Sequence, residues 1–308
     1  MRKIYLLVFL GAALGFASCD HVEFPYPETI ATLGWEGYPD GDSAHYVANA
    51  WPVFSANPNT QRNILIEDFT GHLCSWCPPA ADTAHSLHGD FPSRIYIATI
   101  HAGPNGLDVF QSTNPNFPID WTNPEGLAIG KHFGDLPGSG FIGNPRGSVS
   151  RIEVGGQHTL DQDTWRGTAV TGMAVPLKVN IQSATNYYPS TRGLFLHTQL
   201  EVMDGGLNLD DLYTVAYLIE DSLVAKQKMP DNTTNETYVH RDIMRGCINT
   251  TWEGMKITDA YLIDGDTYDF FYRYELPAEY NAEDVHLLIY VRNKTTEEIY
   301  HVVKQDLQ

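Results

Sequence analysis

Cys74 and Cys77 are the residues of this sequence whose type and spacing most clearly allow chemistry. An apolar, strand-like segment from Asn63 to Phe69 ends in a Thr-Gly turn just before them, and two prolines and a helical pattern follow. A thiol–disulfide site needs a strand, a CxxC pair and a helix in this order, because the strand delivers the first cysteine to an exposed edge. The start of the helix adds a partial positive charge that favours the thiolate of that cysteine.

The spacing of the two cysteines leaves a structural, inert disulfide open as the alternative, because a CxxC also arises by chance in a chain with four cysteines. In an active pair we expect Cys74, as the cysteine nearer to solvent, to attack and Cys77 to resolve the mixed disulfide. The intervening Ser75-Trp76 differs from the common reductant and oxidant versions. Cys247 is left over, and we expect it to be a buried free thiol.

The first residues of the chain predict export. Arg2 and Lys3 precede an apolar stretch that is too short to span a bilayer, which is typical of a secretory signal peptide over residues 1–18. The run Phe16-Ala17-Ser18-Cys19 looks like a bacterial lipobox, so we expect Cys19 to carry the lipid that tethers the protein to a membrane. The alternative is ordinary signal cleavage that leaves Cys19 free. Either way, an exported protein meets an oxidising environment in which a disulfide is expected.

The composition is that of an acidic, exported globular protein. The chain has a formal net charge of −19, and removal of Arg2 and Lys3 with the signal peptide leaves 17 basic and 38 acidic residues, a net charge of 17 − 38 = −21. This charge argues against nucleic acid and anionic lipid headgroups as partners, although an acidic surface also serves solubility alone. About 290 mature residues suit two domains that each bury a core.

The pattern along the mature chain divides it into three parts. Residues 19–60 are rich in Pro, Gly, Asn and Asp, with scattered aromatic residues, and are predicted to form an extended tether that packs locally. Residues 61–170 alternate strand and helix patterns, which favours an α/β domain. Its predicted strands are 63–69, 94–101 and part of 141–154, and its predicted helices are 78–89, 124–133 and a segment around Trp165.

The last part, residues 171–308, contains short alternating runs separated by turn signals such as Asp-Gly-Gly and Asp-Gly-Asp. This spacing predicts an all-β sandwich. The predicted strands are 176–181, 194–202, 214–220, 268–274, 286–291 and 298–303.

Histidines near the cysteines suggest two further kinds of site. His85 and His88 lie one helical turn apart, and together with the two cysteines they suggest a zinc site. The gap between Cys77 and His85 is shorter than in zinc fingers, so we favour histidines on the surface of a helix. His72 and His101 either border the thiol site, where their charge would lower the pKa of the first cysteine, or are loop residues that make hydrogen bonds. We predict no metal site and no cofactor.

The α/β part resembles the thioredoxin fold. In that family a buried carboxylate lies six residues before the first active-site cysteine, and Asp68 holds this position. The resemblance implies that Asp68 assists proton transfer at Cys77. The family also places a cis-proline opposite the CxxC, just before a strand, and Pro145 in Gly143-Asn144-Pro145 is the best match. Pro145 would then shape a groove in which a substrate strand pairs.

The chain after about residue 60 also resembles the Omp28-related lipoproteins of Bacteroidetes. The shared marks are an E-[DE]-F-T-G-x-x-C-x-x-C-P run (Glu67 to Pro78), His101-Ala-Gly103, a P-x-G-x-V-x-R run (Pro145 to Arg151), Glu220-Asp221 with Gln227 downstream, and a Y-V-H-x-x-x-x-R run (Tyr238 to Arg245). The resemblance implies a thioredoxin-like domain followed by an immunoglobulin-like β-sandwich, in a lipoprotein of the outer membrane that faces the periplasm or the cell surface. It implies little about activity.

Two hypotheses about function remain open, and with them the question whether the protein is an enzyme. In the first, the CxxC carries out thiol–disulfide exchange on exported proteins, with catalytic roles for Cys74, Cys77, Asp68 and Pro145. In the second, the chain is a non-enzymatic envelope module whose CxxC is a structural disulfide and whose β-sandwich binds a partner. The membrane, reached through the N-terminal lipid, is a partner in both.

Overall fold

The computed structural model describes residues 33–249 and 251–307. The predicted signal peptide and the predicted lipidation site Cys19 lie outside these residues. Within them, no helix is both long and apolar enough to cross a membrane.

Residues 61–170 form the predicted α/β arrangement. Its elements are β1 (Ile64–Thr70), α2 (Cys77–Asp90), β2 (Ile95–His101), α3 (Pro124–Asp135), β3 (Arg146–Val149) and α4 (Gln162–Met173). The parallel strands β1 and β2 are in register from Ile64–Ile95 to Thr70–His101, and β3 lies antiparallel on the other side of β1. Since both faces of β1 are buried, this strand is apolar without strict alternation. Prolines occupy the first turn of α2 and of α3, where a missing N–H is tolerated.

Helices cover both faces of this sheet. Ile64 and Ile66 of β1 point to the face on which α2 and α4 pack, with Trp165 of α4 fully buried among them. Leu65 and Phe69 point to the opposite face, where α3 contributes Ile129 and Phe133. Because side chains alternate along a strand, Asp68 belongs to the α2 face and Glu67 to the α3 face.

The described residues after α4 form strands that belong to two packed sheets and one separate hairpin. These strands are β4 (Val179–Tyr188), β5 (Gly193–Val202), β6 (Leu212–Glu220), β7 (Leu223–Lys228), β8 (Thr234–His240), β9 (Ile243–Cys247), β10 (Met255–Lys256), β11 (Leu262–Asp264), β12 (Thr267–Glu275), β13 (Val285–Asn293) and β14 (Ile299–Asp306). One sheet has the order β11-β12-β5-β4, and its apolar face, including Leu196 and Phe270, packs on side chains such as Ile289 of β13. The hairpin β7–β8 stands apart from both sheets.

The second sheet continues into the α/β part. Across the described ranges its order is β14-β13-β6-β9-β2-β1-β3, and β9 joins the two parts through the parallel pairing of Ile243 with Thr99 of β2. The Thr99 amide also donates to the carbonyl oxygen of Asp242 at 2.7 Å. The sheet therefore crosses residue 170. The division into domains at that residue stays a prediction, and the architecture itself is a mixed α/β fold with several β-sheets.

The segment before β1 packs on the β part. A 3-10 turn at Trp35–Gly37 and the helix α1 (Ser43–Asn49) lie against β5 and β12. Tyr46 of α1 is fully buried, stacks on Phe195 at 4.8 Å between ring centroids, and its hydroxyl lies 2.7 Å from Nε2 of His197. The aromatic residues of the predicted tether thus anchor its second half to the sheet.

Candidate functional site

A disulfide joins Cys74 and Cys77, as their spacing predicted. The Cα atoms are 5.4 Å apart, Cys77 is the first residue of α2, and Cys74 lies in the loop between β1 and α2. Two turns make this loop compact: the Cys77 amide donates to the Cys74 carbonyl, and the Cys74 amide donates to the Gly71 carbonyl. The pair therefore stands at the carboxyl end of β1 and at the positive end of a helix.

Both cysteines are buried, so the expected difference in solvent access between Cys74 and Cys77 is very small. Cys74 is 2% exposed and Cys77 is 1% exposed, so neither sulfur lies at the surface. Trp76, between them, is by contrast 64% exposed. The burial comes from two segments that are distant along the chain, the 102–123 loop and the β7–β8 hairpin.

The 102–123 loop covers the site from one side. The amide of Leu73 donates to the carbonyl of Phe110 at 3.1 Å, and the side-chain amide of Gln111 donates to the carbonyl of Thr70 at 2.6 Å. Nε2 of His72 lies 3.1 Å from the Ser112 carbonyl oxygen. These bonds tie the loop to the backbone that leads from β1 into the disulfide.

The β7–β8 hairpin covers the site from the other side. Gln227 is buried, and its side-chain amide donates to the Cys74 carbonyl at 3.0 Å. The backbone amide of Lys228 donates to the His72 carbonyl at 2.9 Å. The hairpin therefore clamps the CxxC loop, and Gln227, a family mark in the sequence, supplies the contact. Sequence reasoning missed β7 and β8, because Leu223–Lys228 reads as three apolar residues followed by three polar ones and lacks the alternation of a strand.

Asp68 lies where the thioredoxin resemblance places it. Its side chain belongs to the sheet face that α2 covers, next to Thr99 on β2. It is 1% exposed, and neither carboxylate oxygen has a hydrogen-bond partner within the described ranges. Burial raises the pKa of Asp68 to about 7, because the charged form loses its hydration. A carboxyl that titrates near neutrality can accept or release a proton. A proton-transfer role at Cys77 stays a prediction.

Pro145 precedes β3 at the same end of the sheet. The Asn144–Pro145 peptide bond is cis, in agreement with the resemblance, and the next residue, Arg146, pairs with Phe69 near the end of β1. The Asn144 side chain donates to the Ala102 carbonyl at 2.9 Å, which fixes this turn against the end of β2. The position matches the prediction, and a role in substrate binding stays a prediction.

Three histidines pack near the disulfide. His101 is fully enclosed, 5.9 Å from His240 between ring centroids, and neither of its ring nitrogens has a partner in the part of the chain that is described. Burial lowers the pKa of His101 well below its usual range, lowers that of His72, and lowers that of His240 to about 4. The imidazoles are therefore neutral at pH 7. His72 and His101 thus do not supply the positive charge that would lower the pKa of the Cys74 thiol.

A very small cavity lies beside Cys77. A cavity of about 20 Å³ is lined by Cys77, Thr70, Thr99, Gln227 and His240, among others. Its size compares with that of one water molecule rather than of a substrate.

The other family marks pair with one another across the fold. Glu67 and Arg151 form a completely buried ion pair, and Arg245 of β9 lies 3.3 Å from Glu220 of β6. Cys247 is a buried free cysteine, as predicted, and burial raises the pKa of its thiol. The first pair lies within the α/β part and the second within the β part, so these motifs mark contacts inside each part as well as residues of the CxxC loop.

Comparison with known proteins agrees with this architecture. Residues 140–308, more than half of the chain, match the family model of "Outer membrane protein Omp28". This chain belongs to the Omp28 family. Membership places the protein at the outer membrane. The matched range includes Pro145, Arg151 and Gln227 but not the two cysteines, so the family match carries no information on the disulfide.

A solved structure resembles this Omp28-family chain in fold. HBP35 of Porphyromonas gingivalis superposes with a TM-score of 0.60 at 17% identity, over 82% of this chain and 77% of that one. A domain of the outer membrane lipoprotein Omp28 of P. gingivalis is 21% identical over 42% of this chain and 88% of its own, with a TM-score of 0.28 that is too low to support a shared fold. The superposition on HBP35 supports a common fold and nothing further. No curated protein matches this sequence.

Proposed function

We propose that this Omp28-family protein is a non-enzymatic, lipid-anchored module of the outer membrane, in which Cys74–Cys77 is a structural disulfide. The observation that carries the proposal is the burial of both sulfurs under the 102–123 loop and the β7–β8 hairpin. Disulfide exchange requires a thiolate to reach one sulfur of the pair. With Cys74 2% exposed and its carbonyl held by Gln227, that approach needs the cover to move first.

The structural role of the disulfide follows from what its loop holds. The backbone around Cys74 receives hydrogen bonds from the hairpin of the β part, so a rigid loop keeps the two parts of the chain in register. The C-terminal sheets, packed face to face, support an immunoglobulin-like sandwich as the partner-binding part. One of these sheets continues into the α/β part, which differs from a free-standing immunoglobulin domain. Exported proteins are the partner class that we propose.

The anchor in this proposal is a lipid on Cys19, after removal of residues 1–18. Metabolic labelling of cells with an alkyne-bearing palmitate should label the wild-type protein and not the Cys19→Ala variant. Label on both proteins, or on neither, would contradict lipidation at this residue.

Thiol–disulfide exchange on exported proteins is the second candidate, and Asp68 is the observation that favours it. A buried carboxyl with no hydrogen-bond partner in the described ranges costs stability, and such costs are typical of functional sites. A pKa of about 7 suits a group that shuttles a proton to the resolving cysteine. In this candidate the hairpin must open before the Cys74 sulfur becomes reachable.

Redox titration of the purified protein separates the two candidates. A structural disulfide should have a potential below about −300 mV, out of reach of the glutathione pool. It should also show no insulin reduction, and Cys77→Ser should trap no mixed disulfide with envelope proteins. A potential within the range of known oxidoreductases, together with a mixed disulfide on Cys77→Ser that is lost in Cys74→Ser/Cys77→Ser, would overturn the structural assignment and establish exchange.

A further inference from the structure

A polar cavity of about 320 Å³ lies where the α/β part meets the β part. It lies between α2, the start of β2, the two turns that flank the β7–β8 hairpin, the start of β13 and the end of β14. Neither cysteine of the CxxC lines it, although it shares His85 and Arg241 with the small cavity beside Cys77. Its volume falls at the lower end of the range for small-molecule sites, which is about 300–1,000 Å³. The cavity suits a ligand of few heavy atoms.

The wall of this cavity is strongly acidic. Among the described residues that line it are the carboxylates of Asp221, Asp242, Glu283, Asp284 and Asp306. The basic side chains in the same wall are Arg241 and Lys304, so carboxyl groups outnumber basic groups by three. The charge of the wall therefore favours a cation.

Several of these carboxylates are not neutralised by the protein. Lys304 pairs with Asp306 at 3.1 Å, whereas Glu283 has no ionic partner within residues 33–249 and 251–307. The nearest basic group to Asp242 is Nδ1 of His85, at 3.7 Å. Burial and the neighbouring Asp221 raise the pKa of Asp242 to about 7, although Lys304 and Arg241 oppose this shift.

An independent feature of the cavity is the imidazole of His286. This residue is 8% exposed and lines the cavity, and its ring nitrogens make no hydrogen bond to any described residue. Because no described protein group hydrogen-bonds to this ring, its partner has to come from the cavity, as water or as a ligand. Burial lowers the pKa of His286 to about 4, so its neutral ring can accept a hydrogen bond from an N–H donor.

We propose that this cavity binds a small organic cation, with a primary ammonium or guanidinium group held by Asp242 and Glu283 and a hydrogen bond to His286. The donors of such a cation match the acceptors of the wall, and each ion-assisted hydrogen bond is stronger than a neutral one. A metal ion fits less well, because no group of three or more His, Cys, Asp or Glu side chains in the described ranges is placed to hold one. The proposed contacts involve neither cysteine of the CxxC.

Calorimetric titration of the full-length protein with putrescine tests the proposal. Separate titrations with sodium acetate and with CaCl₂ serve as the anionic and metal controls. Putrescine should bind and acetate should not. Glu283→Gln should weaken binding about tenfold, the effect of losing one charge-assisted contact. The matched variant Glu153→Gln removes an exposed carboxylate that does not line the cavity and should bind putrescine as the wild type does.

His286→Phe provides the second variant, since it keeps a ring in the buried space but removes the acceptor. It should weaken putrescine binding severalfold while leaving the circular dichroism spectrum and the melting temperature close to those of the wild type. Absence of putrescine binding to the wild type, equal binding by Glu283→Gln and Glu153→Gln, or preference for acetate or Ca²⁺ would each overturn the proposal.

Discussion

Glu67 and Arg151 form a doubly hydrogen-bonded ion pair with no solvent exposure on either side chain. Arg151 donates through Nη2 to Oε1 at 2.7 Å and through Nε to Oε2 at 2.8 Å. The hydroxyls of Ser148 and Tyr217 donate to the same carboxylate at 2.7 and 2.8 Å. Although burial alone would raise it, the pKa of Glu67 is lowered because Arg151 and these donors stabilise its charge. Since Tyr217 belongs to β6, the pair links the CxxC-bearing strand to the β part.

Removing Arg151 should destabilise the protein strongly. Arg151→Met leaves the Glu67 carboxylate buried without its counter-charge, which typically costs about 3–5 kcal/mol. Urea unfolding followed by circular dichroism would measure the free energy of unfolding. The double variant Glu67→Leu/Arg151→Met should recover part of this loss, because no unpaired charge remains.

An exposed ion pair supplies the control for this experiment. Arg166 pairs with Asp90, and both side chains are about half exposed. Arg166→Met should change the free energy of unfolding by less than about 1 kcal/mol, because water screens the pair. Equal losses for Arg151→Met and Arg166→Met would contradict the central role of the buried network.

Asp68 should make the stability of the protein depend on pH. Its pKa is about 7 in the folded protein against a usual 3.8, so the folded state holds the proton more tightly than the unfolded state. The stabilisation is fully present below about pH 4 and is lost as the pH rises to about 7. At about 1.4 kcal/mol for each pKa unit, the loss is on the order of 4 kcal/mol.

The isosteric variant Asp68→Asn tests this dependence. Denaturant unfolding from pH 4 to pH 8 should show a smaller fall in stability for the variant than for the wild type. Asp242, whose pKa also lies near 7, contributes to the wild-type curve, so Asp242→Asn measured in parallel isolates the share of each carboxyl. Identical curves for wild type and Asp68→Asn would show that Asp68 does not titrate in this range.

Gln227 should control access to the disulfide. Gln227→Ala removes the hydrogen bond to the Cys74 carbonyl, worth about 1 kcal/mol, and weakens the contact of the hairpin with the CxxC loop. Reduction by dithiothreitol, followed by thiol alkylation and mass spectrometry, should become roughly fivefold faster. Gln199→Ala, in the remote four-stranded sheet where Gln199 accepts from Gln182, should reduce at the wild-type rate. Similar rates for all three proteins would mean that the hairpin does not limit access.

The local elements of this fold could be predicted from the sequence, because their signals are local. The apolar run before Cys74, the prolines that open α2 and the β-rich run of β2 each specify one element within about ten residues. The sequences of β7 and β8 carry no such signal. The shared sheet could not be predicted, since it depends on Ile243 pairing with Thr99, far apart in the sequence.

The same difference between local and distant contacts applies to the candidate site. Asp68 and Pro145 were found because a family pattern gives their spacing from the cysteines. The burial of Cys74 was missed because its cover, Phe110 on one side and Gln227 on the other, comes from segments about 35 and 150 residues away. Spacing around a motif carries no information about such segments.

The N-terminal segment should contribute to stability through Tyr46. Its ring is fully buried against Phe195, and its hydroxyl contacts His197 and accepts a hydrogen bond from Asn186 at 2.8 Å. Tyr46→Ala should lower the free energy of unfolding by about 3–5 kcal/mol, as truncation of a buried aromatic residue does. Val47→Ala, at the adjacent and 41% exposed position, should change it by less than about 0.5 kcal/mol. If residues 33–60 served only as a tether, the two variants would unfold at the same urea concentration, so a difference between them measures how firmly this segment is packed on the β part.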